Sequence, residues 1–421
     1  MEPIGGRKST KSLSSKLDGQ PNVLAGWDIG LAAIALACMT SGFWRLWPGA
    51  LMLSEVPLAP MIVQAGLAAL GFVAIATRWE ETARALAYNP FVLVLLALAC
   101  GSAIWAIIPA TALRNAIMLI AIWSFGIALA LRFRPRELAE ICAFAGFIGL
   151  LAQFAAHQSM PPVSAFDGDV AFAITTSAWA AWRVPSRRLL WLIALGGSCV
   201  LGFAAGDSAS LGAAIGLIIG LGFAKTGLLA RQHSGISIIV TAWALVVLTV
   251  VSTLFALFGA DPLFSTMSRF LNNLGPHMMI GQGFGLAGQS VANSLGVGLG
   301  IVGVVLSILV VFATLVQALF GRHRPNTSIN VLFAIWLSAL GAIIVSPTQI
   351  AIFGPIIILF VATSFSISLS CVNVQQRRRQ SLTDMPSSRP LVQEQYPNDF
   401  VAKPLIPTSK ALNAMGLRPK N

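Results

Sequence analysis

The residues most able to do chemistry in this chain are few, and they lie between long apolar runs. Three arginines, Arg45, Arg114 and Arg269, stand apart from the other 24 of the 27 Lys and Arg. They fall on the side of the apolar runs that carries no lysine. A guanidinium stays charged at every relevant pH and presents a planar fork matching phosphate oxygens, whereas an ammonium is a point charge. Three such forks around one cavity suit a pyrophosphate. The competing reading is that each arginine is an interfacial anchor snorkelling to headgroups. Arg114 is the most informative, because an unpaired charge near hydrocarbon costs roughly 2.5 to 3.5 kcal/mol at a helix centre and less toward its end.

The same side offers the acids Glu55, Asp167, Asp169, Asp207 and Asp261, with His157 and His277. His277 and Asp261 share a long connection with Arg269, and either is a candidate general base if it reaches the acceptor hydroxyl. No Cys/His spacing resembles a metal site, so neither metal nor cofactor is expected. The Gly281-Gln282-Gly283-Phe284-Gly285 run lacks the strand-turn-helix context of a nucleotide loop.

Membrane helices must position these residues. Of the 421 residues 56% are hydrophobic and only 10% charged, with a mean hydropathy of +0.80. A soluble domain would carry about a quarter charged residues. A net charge of +12 in a soluble chain would point to nucleic acid. Here the basic residues alternate with apolar runs, so they orient the chain in a bilayer and no nucleic-acid partner is expected. A span needs roughly 20 apolar residues. Twelve segments qualify: 28 to 44, 57 to 77, 90 to 107, 113 to 131, 138 to 156, 168 to 182, 189 to 206, 209 to 224, 236 to 258, 292 to 320, 329 to 346 and 350 to 370. The fold class is therefore all-α and polytopic.

Lys and Arg set the orientation, because cytoplasmic loops retain them. With a cytoplasmic N-terminus, 24 of the 27 fall inside: the N-terminal four, Arg78 and Arg84, Arg132 with Arg134 and Arg136, Arg183 with Arg187 and Arg188, Lys225 and Arg231, Arg322 and Arg324, and eight beyond residue 370. Both termini are then cytoplasmic. Residues 1–27 read as an uncleaved basic tail, 28–370 as the helical domain, and 371–421 as a disordered basic tail whose Arg377-Arg378-Arg379 run lies against anionic lipid. The cysteines, Cys38, Cys100, Cys142, Cys199 and Cys371, offer no pair to an oxidising compartment. Gly212, Gly216 and Gly220 repeat on one face of the eighth span, and Gly296 and Gly300 in the tenth, as contacts between helices. The longest connection, about 259–291, faces outward and is the expected working region.

Several stretches together resemble the O-antigen ligase and polysaccharide polymerase family of bacterial membrane glycosyltransferases, in its exopolysaccharide branch. The first is Trp105-Ala-Ile-Ile-Pro109-Ala-Thr-Ala-Leu113-Arg114-Asn-Ala116, which resembles the family's Trp-Ser-x-Asp-Pro followed by Leu-Arg-Arg-Ala. Phe125-Gly126 and the Arg132-Phe133-Arg134 exit are also similar. In the outer connection Gly259-Ala-Asp261 resembles Gly-Arg-Asp, and Pro276 with Gly281-x-Gly283-Phe284-Gly285 resembles Pro-x-x-Gly-x-Gly-Phe-Gly. Asn293 with Gly300-Ile-Val-Gly303 resembles the His-Asn to Gly-Leu-x-Gly stretch, with Ala292 where the family has His. Ile108 replaces the Asp before Pro, and Asp207-Ser208-Ala209-Ser210 stands where a basic residue is usual.

The resemblance implies transfer of a glycan from an undecaprenyl-pyrophosphate carrier at the periplasmic face of the bacterial inner membrane, without metal or nucleotide sugar. It implies pyrophosphate contacts for Arg114 and Arg269; Arg45, Trp105 and Asn293 are further candidates for pyrophosphate or glycan contact, and with Ala292 in place of the family's His the base falls to His277 or Asp261. Chain-length regulators and export proteins are its implied partners, beside the lipid-linked glycan and the bilayer. Polymerase is the leading reading. The alternatives are an O-antigen ligase, a non-catalytic accessory subunit, and a twelve-helix secondary transporter. Against the last, the span interiors hold almost no acid or base and only the second half has a large outer loop.

Overall fold

A computed structural model describes residues 23–40, 52–53, 56–157, 168–204, 207–226, 279–286, 290–321, 327–347 and 350–383. Nearly all of these are helical: α1 (Val23–Ala37), α2 (Leu58–Thr77), α3 (Trp79–Tyr88), α4 (Phe91–Gly101), α5 (Pro109–Arg132), α6 (Pro135–His157), α7 (Asp169–Arg183), α8 (Arg188–Ala204), α9 (Ser208–Thr226), α10 (Gly300–Gly321), α11 (Thr327–Val345) and α12 (Pro355–Thr383). A two-residue antiparallel pair, β1 (Met52–Leu53) and β2 (Val56–Pro57), precedes α2. The chain divides into two units, Met1–Val374 and Gln375–Asn421; of the second, the described residues 375–383 belong to α12.

Each expected segment overlaps a helix except 236 to 258, which lies outside the described residues. By length and apolarity three helices suffice to cross a bilayer: Pro109–Arg132, Gly300–Ala318 and Pro355–Val372. Two bent pairs raise the number to five if each is one span. The protein is therefore all-helical and suited to a membrane.

One of those bends has a plain local cause. The link after α2, a plain connection by hydropathy, folds as a helix of its own, α3. Glu80, Glu81 and Arg84 line α3, and Arg84 pairs with Glu80 at 2.9 Å. Such an exposed pair stabilises little. Thr82 and Ala85 are buried on the opposite face, so α3 is amphipathic and meets Phe91–Ile104 at 94° across Asn89-Pro90. That geometry fits a helix lying in the membrane surface.

The core is built around α11. A helix apolar on every side belongs inside a bundle, and α11 is buried continuously from Val331 to Ala342. Its Trp336 stacks between Phe333 and Phe360, with centroids at 5.9 and 5.7 Å, while its indole N–H donates to Ser364. The glycine stripe of α9 packs on this helix as expected. A Cβ at Gly212, Gly216 or Gly220 would lie 2.4 Å from the Gly341 carbonyl oxygen, 2.3 Å from that of Leu337, or 2.4 Å from the Ala334 Cα. Close backbone approach of this kind supplies dispersion contact where hydrophobic driving force is weak. Hydroxyls reinforce it: Ser338 donates to the Ala213 carbonyl and is 2.8 Å from the Thr175 hydroxyl, tying α7, α9 and α11 together.

The expected Gly296–Gly300 contact face on one continuous helix is not formed. Residues 292–297 form a π-turn, and Gly300 adopts φ +65, so the two glycines sit on either side of a break. A left-handed residue cannot continue an α-helix.

Replacing Gly216 with Val forces α9 away from the Leu337 backbone. The expected loss is about 1–3 kcal/mol, read as a lowered Tm of the detergent-solubilised protein. Gly222, where a Cβ meets nothing within 4 Å, should tolerate Ala with an unchanged Tm.

Candidate functional site

The site is assembled around Met279–Leu286, the described part of the connection before α10. Met279 and Ile280 are exposed, but the segment then turns inward and Phe284 is fully buried, edge-on to Phe353. A buried irregular stretch needs partners for its backbone groups, and three neighbouring elements provide them.

The first is the break before α10. Gln282 N–H donates to the Val297 carbonyl and Gly283 N–H to that of Gly298, both at 3.0 Å. Val302 N–H reaches the Met279 carbonyl at 3.3 Å. The second is the end of α4, where Ser102 lies in a short 3-10 turn. The Ser102 hydroxyl accepts from Phe284 N–H at 3.0 Å and itself donates to the Ala99 carbonyl. The third is α5. Asn115, 2% exposed, donates its amide to the Gly285 carbonyl at 3.3 Å. Gly285 has φ +71, and a Cβ there would sit 2.6 Å from the Asn115 amide nitrogen. Only glycine fits that position without strain.

Trp105 joins the same assembly. Its indole N–H donates to the Ile280 carbonyl at 3.0 Å, so the side chain is tied to a segment 175 positions away. Arg114 is exposed, beside Asn115 in the second turn of α5. It makes no hydrogen bond or ion pair among the described residues. The helix begins at Pro109, one turn before the expected 113, and its first turn adds a partial positive charge near the guanidinium. Around Arg114 the surface is apolar: Ile104, Ile107, Ile108, Leu113 and Ile117 are all exposed.

Asn293 lies half-buried in the π-turn, a geometry often found at functional sites. Its N–H donates to the Ser290 hydroxyl at 3.3 Å, and its carbonyl accepts from Gly298 N–H at 2.8 Å. Val291 and Ala292 are in turn held by the Ile350 and Pro347 carbonyls at 2.9 Å. Ala292 offers no side-chain chemistry.

Trp105, Arg114 and Asn293 therefore belong to elements that Met279–Leu286 connects. Arg45, Asp261, Arg269 and His277 lie outside the described residues. Two acids expected on the outer face are occupied with structure. Asp169 is 2% exposed in the first turn of α7. Asp207 accepts from the N–H groups of Ala209 and Ser210 and from the Ser210 hydroxyl, capping α9. Ser102 and Asn115 were missed in the sequence. Their signal was a polar side chain inside an apolar helix, which is costly unless partnered.

Comparison with known proteins finds no matching family model, no similar curated protein and no similar solved structure.

Gly285→Ala joins a steric clash to left-handed strain, each of order 1–3 kcal/mol. The expected outcome is faster proteolytic cleavage within 279–286. Asn115→Ala on its own removes the amide that holds the Gly285 carbonyl, so it too should speed cleavage within 279–286; a rate equal to that of the unmodified protein would show that Asn115 does not hold the segment.

Proposed function

We propose that the protein is a membrane glycosyltransferase that polymerises undecaprenyl-pyrophosphate-linked oligosaccharide repeats. The carrying observation is the meeting of Trp105–Asn115 with Met279–Leu286 through two hydrogen bonds that each span at least 170 positions, with a third from Phe284 to the nearby Ser102 hydroxyl. Trp105 and Asn115, in one stretch that resembles the polymerase family, are thus partners in space of Ile280 and Gly285, in another.

In this reading the chain crosses the bacterial inner membrane twelve times, with both termini cytoplasmic and the site on the periplasmic side. Of its 27 basic residues, 24 then face the cytoplasm, and the three others are all arginine. The acceptor hydroxyl attacks the anomeric carbon of the donor, the carbon–oxygen bond to the diphosphate breaks, and the hydroxyl proton passes to His277 or Asp261. Arg114 and Arg269, with Arg45, hold the leaving diphosphate, whose negative charge grows as the bond breaks. A fixed guanidinium at the positive end of α5 meets that charge, and the apolar surface around Arg114 suits a lipid-borne donor. Trp105 has its only hydrogen-bond donor engaged, so only its ring is left to pack on a sugar. Asn293 contacts the glycan from the π-turn.

Deleting the gene in a polysaccharide-producing host tests the reaction. Single lipid-linked repeats should accumulate and polymer disappear; unchanged polymer with a lost solute uptake would sink the proposal in favour of transport. Arg114→Lys keeps the charge and loses the fork. Polymer yield should fall at least about tenfold, the loss of roughly one charge-assisted hydrogen bond, while the protein inserts at normal levels. Undiminished polymer would remove Arg114 from the diphosphate.

A further inference from the structure

The corner between α7 and α8 gathers charge that the proposed reaction does not use. Asp169–Arg183 and Pro185–Gly202 meet there at 115°. Arg187, in the 3-10 turn of the corner, reaches onto α6: its guanidinium lies 3.8 Å from the Glu140 carboxylate and 5.7 Å over the Phe144 ring. Phe144 in turn packs edge-on, at 5.0 Å, to Trp191 on the buried side of α8. Arg136 precedes Glu140 by one turn of α6 and shares its face. Arg188, next to Arg187, opens α8.

Arg136, Arg187 and Arg188 are exposed, and none of their side chains donates a hydrogen bond among the described residues. Glu140 is the acid beside Arg187, and the neighbouring Glu137 accepts from the Arg134 N–H instead. Positive charge is therefore in excess. Any arginine at a membrane surface can reach a headgroup, but this corner is preorganised. Glu140 and Phe144 fix Arg187 while its N–H fork stays unused, so less side-chain freedom is lost when a ligand arrives.

An apolar track begins where the charge ends. Leu189, Ile193 and Val200 are all exposed, at spacings of four and seven residues that put them on one side of α8. Gly196 and Gly197 lie between them, and a Cβ on either would meet nothing within 4 Å. Glycine inside a helix costs about 1 kcal/mol relative to alanine, and no close neighbour calls for these two, unlike Gly212 or Gly216. They leave the backbone open on that side. We propose that this corner binds an anionic phospholipid, its phosphodiester on Arg136, Arg187 and Arg188 and one acyl chain along Leu189, Ile193 and Val200. Planar guanidinium forks match phosphate oxygens, and the excess positive charge favours a headgroup of net negative charge over a zwitterionic one. The site does not depend on the reaction proposed above.

The test uses the full-length protein in phosphatidylcholine nanodiscs doped with either of two probes, phosphatidylglycerol or phosphatidylcholine, each carrying the same diazirine-bearing acyl chain; adducts are mapped by mass spectrometry. At equal mole fraction the phosphatidylglycerol probe should label 189–200 about fivefold more, the effect of about one net hydrogen bond. Ile308 and Phe312, exposed on α10, should be labelled equally by both. Arg136→Gln combined with Arg188→Gln removes no hydrogen bond or ion pair among the described residues and should bring the two probes level on α8. Glu140→Gln removes the competing carboxylate and should widen the difference. Equal labelling of α8 in the wild type, no adducts on α8 with either probe, or a preference that the double variant keeps would overturn the inference. Loss of the preference to inorganic phosphate but not to chloride of equal ionic strength would also overturn it, in favour of a free-anion site.

Discussion

Backbone groups in an apolar medium must find partners within the protein, and the architecture around the site follows from that constraint. A regular helix satisfies itself. The break between Ala292 and Gly300 does not, because the π-turn and the left-handed Gly300 release carbonyls from the ladder. Val297 and Gly298 give theirs to Gln282 and Gly283. Once Met279–Leu286 is drawn in to serve this break, its own backbone needs partners, and Ser102, Trp105 and Asn115 supply them. One unsatisfied turn thus recruits the end of α4, the start of α5 and the connection before α10 into a single locality.

Small side chains give the rest of the bundle its closeness. With little hydrophobic drive between helices in lipid, association rests on dispersion and on hydrogen bonds between helices. Gly212, Gly216 and Gly220 bring α9 onto the backbone of α11, and Ser338 converts that proximity into hydrogen bonds with two other helices. The stack of Phe333, Trp336 and Phe360 joins α11 to α12.

These two regimes make different demands on the catalytic proposal. A site held by backbone hydrogen bonds at a helix break is positioned with little side-chain freedom, which suits fixed charges that must not reorganise during reaction. Arg114 is exposed on α5 beside Asn115, which binds the Gly285 carbonyl, and exposed apolar residues flank it in sequence.

Hydropathy and the Lys/Arg asymmetry were legible in the sequence because each residue's transfer energy acts locally and sums over a window. The helices and the Gly212–Gly220 contact face follow from that. Gly296 and Gly300 misled for the same reason: four-residue spacing reads as one face only if the helix is unbroken, and φ at Gly300 is set by Met279 and Gly281 packed against it. Arg114 and Trp105 could be chosen from type and spacing alone. Asn115 and Ser102 could not, since their partners Gly285 and Phe284 lie 170 and 182 positions away. No local pattern encodes such a pairing. It arises only when folding brings an unsatisfied backbone and a buried amide or hydroxyl together.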